Sequence, residues 1–541
     1  MSGSLLDIRG LSVRLPAGAS RTHAFTDLDL RLDAGELLCV VGESGSGKST
    51  LGAAILRLLA PELTITSGSL AFAGQELLHL DERAMTAIRG SAISLVSQEP
   101  LLALNPVQRI GVQIEESLLL HTTLTRHERR ARVTDLLAYV GLPDPQRLRS
   151  AYPFQLSGGQ RQRVAIAIAL ASEPRLLVAD EVTSALDAGT REHILALLQR
   201  IQRDRGMAVL LITHDFAVVS RVADRVLVME AGRVVEQGAV AQVLHAPRSD
   251  YTRRLLGAAM LRPRAPRPIG SEAPLLQVRH LKKQHWRRQG FRRHGITALQ
   301  QVSFELRGGE TLGIVGESGS GKSTLARTLL GLSRADSGSI RLDGQELVGL
   351  DGAGWRAIRS HIQMVFQDPG ASFNPRRRIG AALIAGPVAL GIPRAEAEQR
   401  ARSLLERVGL QDSAFDAYPH SFSGGQRQRI AIARALMLHP RVLVADECVS
   451  ALDALVQAQV LDLLEGLQRE LGLALIFITH DLGVAARISD RLLVMQHGQV
   501  VEQGASAQVL TQPNHPYTRT LLSACAAELR PPLRAAVGEA P

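Results

Sequence analysis

The stretch GESGSGKST occupies residues 42–50, and the same nine residues recur unchanged at 316–324. In each copy an apolar run enters it, LLCVV at 37–41 and TLGIV at 311–315, and a helix-like run leaves it, LGAAILRLLA and LARTLLGL. A glycine-rich loop between a strand and a helix turns backbone N–H groups inward, and the helix start adds positive potential, so the pattern is a phosphate cradle. The cradle residues are Gly42, Glu43, Ser44, Gly45, Ser46, Gly47, Lys48, Ser49 and Thr50. Their repeats are Gly316, Glu317, Ser318, Gly319, Ser320, Gly321, Lys322, Ser323 and Thr324. Lys48 and Lys322 are placed to reach β- and γ-phosphates, and Ser49 and Ser323 to ligate Mg²⁺. The chain has only four lysines, and two of them stand in these loops.

Working outward, the whole pattern is written twice. SGGQRQR at 157–163 returns at 423–429, VADE at 178–181 at 444–447, ITHD at 212–215 at 478–481, and VVEQGA at 234–239 at 500–505. The offset is 274 residues at the glycine loop and 266 at these four later motifs, so a difference of eight residues accumulates between the loop and SGGQ. A repeat this long is a duplicated domain. Continuous apolar strands such as RLLVAD and AVLLI, alternating with helical segments, predict α/β halves built on a parallel sheet covered on both faces. Residues 105–150 and 374–420 read as mainly helical. The junction LRPRAPRPIGSEAP at 261–274 reads as an extended linker. The expected division is 1–260, linker 261–274, 275–525 and a tail at 526–541.

Asp180 and Asp446 end apolar strands, where a carboxylate can hold the Mg²⁺ shell, and the adjacent Glu181 and Glu447 can polarise an attacking water. His214 and His480 each lie 34 residues beyond that Asp, again at a strand end, a repeated spacing that suits a catalytic γ-phosphate or transition-state contact. Ser157 and Ser423 suit the N-cap of the helices that begin Gly158, Gly159, Gln160 and Gly424, Gly425, Gln426.

The 541 residues carry a net charge of +10, which raises a nucleic-acid or membrane partner. Between Arg262 and Arg293, however, ten Lys/Arg face one acid, Glu272, leaving a single net positive charge for the rest of the chain. The excess is local: a solvated loop, or a contact with anionic lipid or a membrane subunit. Three scattered cysteines form neither a disulfide framework nor a CxxC pair, and no run reaches the ~18 apolar residues of a membrane span.

Glycine loop, strand-end Asp-Glu, SGGQ and downstream His together resemble the ATP-binding-cassette (ABC) ATPases over nearly the whole chain. The SALD segments at 184–187 and 450–453 match that family's D-loops, and Gln98 and Gln367 its Q-loop glutamines. The resemblance implies two tandem cassettes, each with a parallel-sheet core, an antiparallel β region and a helical subdomain. It implies ATP and Mg²⁺ as cofactors, with Ser49, Gln98, Asp180, Ser323, Gln367 and Asp446 around the metal. It further implies two composite sites: Lys48, Asp180, Glu181 and His214 with the SGGQ of the second half, and Lys322, Asp446, Glu447 and His480 with that of the first. Both sets are complete, so two hydrolytic sites are expected.

Two departures stand out. Family members usually have Pro after the glutamate, where this chain has Val182 and Cys448. The adenine-stacking aromatic falls near Leu15 in the first half and His285 or Trp286 in the second, which implies weaker nucleotide binding in the first. The segments APRSDYTRRLLGA and QPNHPYTRTLLSA after each VVEQGA are similar to those of dipeptide and oligopeptide importers, most of all their fused glutathione- and microcin-type ATPases. That likeness implies two separate transmembrane permease subunits, a substrate-binding protein, peripheral attachment at the cytoplasmic face of the inner membrane, an intrachain cassette pair in place of a dimer, and no nucleic acid. Cys525 stands alone, so the iron–sulfur tail of some relatives is not expected. The alternative, a twin-cassette translation factor on the ribosome, would carry a long charged helical linker in place of the short Pro-rich junction. A DNA-repair or chromosome ATPase would need coiled-coil or zinc insertions.

Overall fold

The computed structural model describes residues 4–19, 21–98, 103–183, 188–259, 264, 273–289, 292–317, 319–450 and 452–529. Residues 1–259 and 260–527 fall into two compact units. Each unit repeats the same plan.

In the first unit, six strands order as Arg233–Ala239, Arg225–Glu230, Leu37–Val41, Ala208–Ile212, Leu176–Asp180 and Ile93–Val96. The inner pairings are parallel and only the Arg233–Ala239 edge is antiparallel. The second unit matches with Gln499–Ala505, Arg491–Gln496, Thr311–Val315, Ala474–Thr479, Val442–Asp446 and Ile362–Val365. All five residues of Leu37–Val41 are buried because both faces are covered.

The two-residue period of the strand divides them. Leu38 and Val40, with Val178, Leu210 and Ile212, join one core that contains Leu51 and Ile55 of the helix Lys48–Ile55 and Ile8, Phe25 and Leu30 of a four-stranded antiparallel sheet. The helix that leaves the glycine loop is therefore packed against both sheets, each buried Leu or Ile contributing about 1.5–3 kcal/mol. Leu312, Ile314, Val444, Ile476 and Leu325 repeat this in the second unit. Opposite residues there, Leu443, Ala445, Leu475 and Phe477, face a helical layer that includes Ile379–Ala389 and Arg394–Arg407. The expected helical stretches are thus Ile110–His121 and Arg126–Tyr139 in one unit and these two helices in the other.

The eight-residue slip lies in connections. The offset between units is 274 at Lys48/Lys322, 270 at Phe72/Leu342, 269 at Gln98/Gln367 and 266 at Ser157/Ser423, so no strand of the parallel sheet absorbs it. Of the junction read as a linker, residues 264, 273 and 274 are described. Arg264 is not open chain. Its amide donates to Ala486 O at 2.9 Å, and its guanidinium, 6% exposed, lies 3.5 Å from Asp490 and bonds Thr311 Oγ1, Gln468 Oε1 and the Ile488 carbonyl. Among the described residues no helix is long and apolar enough to cross a membrane.

Candidate active sites

The glycine loop takes its shape from contacts that exclude a side chain. Gly47 has φ 104°, and a Cβ there would lie 2.7 Å from the Ala24 carbonyl; Gly321 has φ 107° and the same conflict with Ala298. The loop then feeds the helices Lys48–Ile55 and Lys322–Leu329, whose first residues are the two cradle lysines. Lys48 Nζ donates to Gly42 O at 2.8 Å and Glu43 O at 2.6 Å, and Lys322 Nζ to Gly316 O and Glu317 O at 2.7 and 2.8 Å. Burial lowers the Lys322 ammonium from its ordinary range, against the pull of Glu447 and Asp446.

Ser49 Oγ donates to Asp180 Oδ1 at 3.2 Å, and Ser323 Oγ to Asp446 Oδ1 at 3.3 Å. Burial raises both Asp carboxyls, with the neighbouring glutamate adding in the same direction. A hydroxyl and a carboxylate side by side are hard oxygen donors and fit Mg²⁺, which keeps the rest of its shell for water and phosphate.

Strand register then sets the glutamates. Asp180 pairs with Ile212, and Glu181 N donates to Ile212 O at 2.9 Å, two residues before His214. His214 Nδ1 lies 3.3 Å from Glu181 Oε1, while Gln98 Nε2 donates to Glu181 Oε2 at 2.8 Å. In the second unit His480 Nδ1 lies 3.5 Å from Glu447 Oε1 and Gln367 Nε2 donates to Glu447 Oε2 at 2.7 Å. Each glutamate is aimed by a Gln from one side and a His from the other, on a backbone with φ 47°, a left-handed conformation worth about 1–3 kcal/mol of strain. Burial works to lower His214, but the Glu181 carboxylate outweighs it and raises the imidazole; His480 likewise holds Glu447 below the usual carboxylate range. The first direction favours an imidazolium–carboxylate pair at Glu181, and the second an ionised Glu447.

The sequence pattern groups these residues, suiting His214 and His480 to a γ-phosphate or transition-state contact and Gln98 and Gln367 to the metal; in this structure all four side chains meet the glutamates. The Pro positions hold Val182 and Cys448, both buried, and burial pushes the Cys448 thiol up to about 12.

Ser157 and Ser423 are N-caps as expected. Each Oγ accepts from the amide of Gln160 or Gln426 at 3.3 Å, and that glutamine's Oε1 accepts from the serine amide at 3.0 Å, a capping box. The two glycines differ. A Cβ on Gly159 would lie 2.2 Å from Thr190, and on Gly425 2.2 Å from Val456, so the second glycine lets this helix pack on the next. Among the described residues a Cβ on Gly158 would meet nothing within 4 Å, and one on Gly424 would meet Leu452 at 3.9 Å.

Leu15 is half-buried. The pairings Arg14–His23 and Gln284–Thr297 match between units, which puts His285 at the place of Leu15; His285 and Trp286 are exposed. Ser318, the segment 184–187, Ala451 and the Cys525 side chain lie outside the described residues.

The family model described as ABC transporter matches residues 25–184 and 299–450, and that described as oligopeptide/dipeptide transporter, C-terminal region, matches 501–540. The glutathione import ATP-binding protein GsiA of Pectobacterium atrosepticum is 43% identical, covering 96% of this chain and 89% of its own length. Its counterpart in Escherichia coli strain K12 is 42% identical, covering 97% and 90%. Among solved structures, the dimeric post-hydrolysis state of the ATP-binding cassette MJ0796 bound to ADP and Pi is similar at 31% identity and a TM-score of 0.40, over 43% of this chain and 98% of that one.

Proposed function

The chain belongs to the ABC transporter family as a two-cassette ATP-binding protein that hydrolyses ATP to drive import, and from that premise we propose that it powers uptake of glutathione or similar short peptides through two separate permease subunits. A substrate-binding protein would deliver the cargo, and the chain would act at the cytoplasmic face of the inner membrane. The observation that carries this reading is likeness to glutathione importers along 96% of the chain, with the glycine loop, Q-loop glutamine, SGGQ, Asp-Glu and His present in both cassettes.

In the proposed mechanism the loops 42–50 and 316–324 cradle the phosphates through their amides, and Lys48 and Lys322 move from loop carbonyls to the β/γ-phosphates. Ser49 with Asp180, and Ser323 with Asp446, would hold Mg²⁺, which supplies neutralisation of phosphate charge. Glu181 and Glu447 accept a hydrogen bond from the attacking water and orient it, while Gln98 and His214, or Gln367 and His480, keep each carboxylate aimed. Ser157 with Gly158, and Ser423 with Gly424, each open a capped helix whose first free amides suit an anionic phosphate.

Reconstitution with candidate permeases and binding protein in proteoliposomes tests the reading. Uptake of labelled glutathione that requires ATP, and stops in the Lys48→Ala/Lys322→Ala variant, is the expected result. ATP-driven uptake of other solutes with none of glutathione or short peptides would overturn the assignment of cargo.

A further inference from the structure

Two buried tyrosines, far from the glycine loops in sequence, touch them where they begin. The Tyr251 hydroxyl accepts from Glu43 N at 3.1 Å and the Tyr517 hydroxyl from Glu317 N at 3.0 Å. Each amide belongs to the peptide unit that opens the loop, Gly42–Glu43 or Gly316–Glu317. The carbonyl of that same unit accepts the cradle lysine, Lys48 at 2.8 Å or Lys322 at 2.7 Å. One peptide plane is thus held at both ends, by tyrosine on its N–H and by lysine on its carbonyl. It is also a constrained plane: Gly42 has φ 154° and Gly316 153°, and a Cβ on either would lie 2.2 Å from the carbonyl of Met229 or Met495.

The tyrosines reach this place through a second repeated device. Glu236, within VVEQGA, accepts the amides of Arg248 at 2.8 Å and Ser249 at 3.1 Å; Glu502 accepts those of Asn514 and His515 at the same two distances. Burial works to raise both carboxyls, yet the amide donors, Arg248 and Asn514 foremost, hold them below the usual range. The turn so fixed launches the next helix, with Tyr251 N bonded to Ser249 Oγ and Tyr517 N to His515 Nδ1, both at 3.2 Å. Different residues make the same turn in the two units, and the hydroxyl arrives at the same amide.

We propose that Tyr251 and Tyr517 are positioning residues for ATP binding: each keeps the first peptide unit of its phosphate loop oriented while the lysine leaves the loop carbonyls for the phosphates. The proposal rests on reading the loops as the ATP cradle. When Lys48 turns to phosphate, its bonds to Gly42 O and Glu43 O are given up, and the tyrosine bond stays to hold the plane. A loop held in its binding conformation has less ordering left to do when nucleotide arrives.

The test uses the full chain and the variants Tyr251→Phe, Tyr517→Phe and their double. Phenylalanine keeps the ring and deletes only the hydroxyl. We expect affinity for a fluorescent ATP analogue to fall about fivefold in the double variant, the worth of one ordinary hydrogen bond at each site. The melting temperature without nucleotide should stay unchanged, and kcat at saturating ATP should move less than about twofold, so the loss appears in KM. Unchanged affinity, or a lost affinity matched by a lower melting temperature without nucleotide, would overturn the proposal and reduce the bond to a structural one. Lys48→Ala and Lys322→Ala serve as the control. Unchanged affinity in those would overturn the cradle reading itself, whereas weakened lysine variants beside unaffected tyrosine variants would overturn only the positioning role.

Discussion

Asp180 and Asp446 hold their protons more tightly than free carboxyls do because they are buried. The sign follows from linkage. A carboxyl raised on folding favours the folded chain while protonated, and that advantage is lost as pH rises through the raised value. At neutral pH each ionised Asp therefore opposes folding until a cation neutralises it. The variants Asp180→Asn and Asp446→Asn should melt at the same or a higher temperature than the parent without nucleotide, yet lose the Mg²⁺ dependence of ATP binding. Differential scanning calorimetry with and without Mg²⁺ checks both halves. These carboxylates, the lysines and the glutamates were legible in the sequence because each sits at a fixed place beside a strand end. Tyr251 was visible only as a likeness marker: its bond to Glu43 spans 208 residues, and no local pattern encodes such a partner.

Each unit's elements were legible for a plain reason: buried parallel strands are continuous apolar runs, and LLCVV, VLVAD and AVLLI could be little else. The place of Arg264 was not. A Pro-rich, Arg-rich stretch reads as solvated chain, but Arg264 is buried among Asp490, Thr311 and Gln468. The first unit shows what distinguishes this pocket: Leu37 stands where the second has Thr311, and Gln202 bonds Asp224 directly at 2.7 Å. Removing the guanidinium leaves Asp490 buried without its counter-charge, a loss of about 3–5 kcal/mol. Both tryptophans, Trp286 and Trp355, lie in the second unit, so fluorescence reports on that unit alone. Arg264→Met should lower the urea midpoint followed by tryptophan fluorescence; an unmoved midpoint would show that Arg264 anchors nothing.

At the scale of the whole molecule, the duplication is nearly exact where chemistry is done and loose elsewhere. The Gln–Glu–His arrangement, the cradle lysine bonds and the capped SGGQ helix agree between units to within a few tenths of an ångström. The insertions between the two copies lie in connections instead. Charge alone pointed elsewhere: the +10 sits largely in one segment and says little about the two sites. The most direct measurement is ATP turnover by Glu181→Gln, Glu447→Gln and the double variant, with nucleotide binding followed in parallel. The account predicts that all three bind ATP, that each single variant turns over more slowly than the parent, and that the double falls at least about 100-fold. Near-parental hydrolysis by the double variant would contradict it.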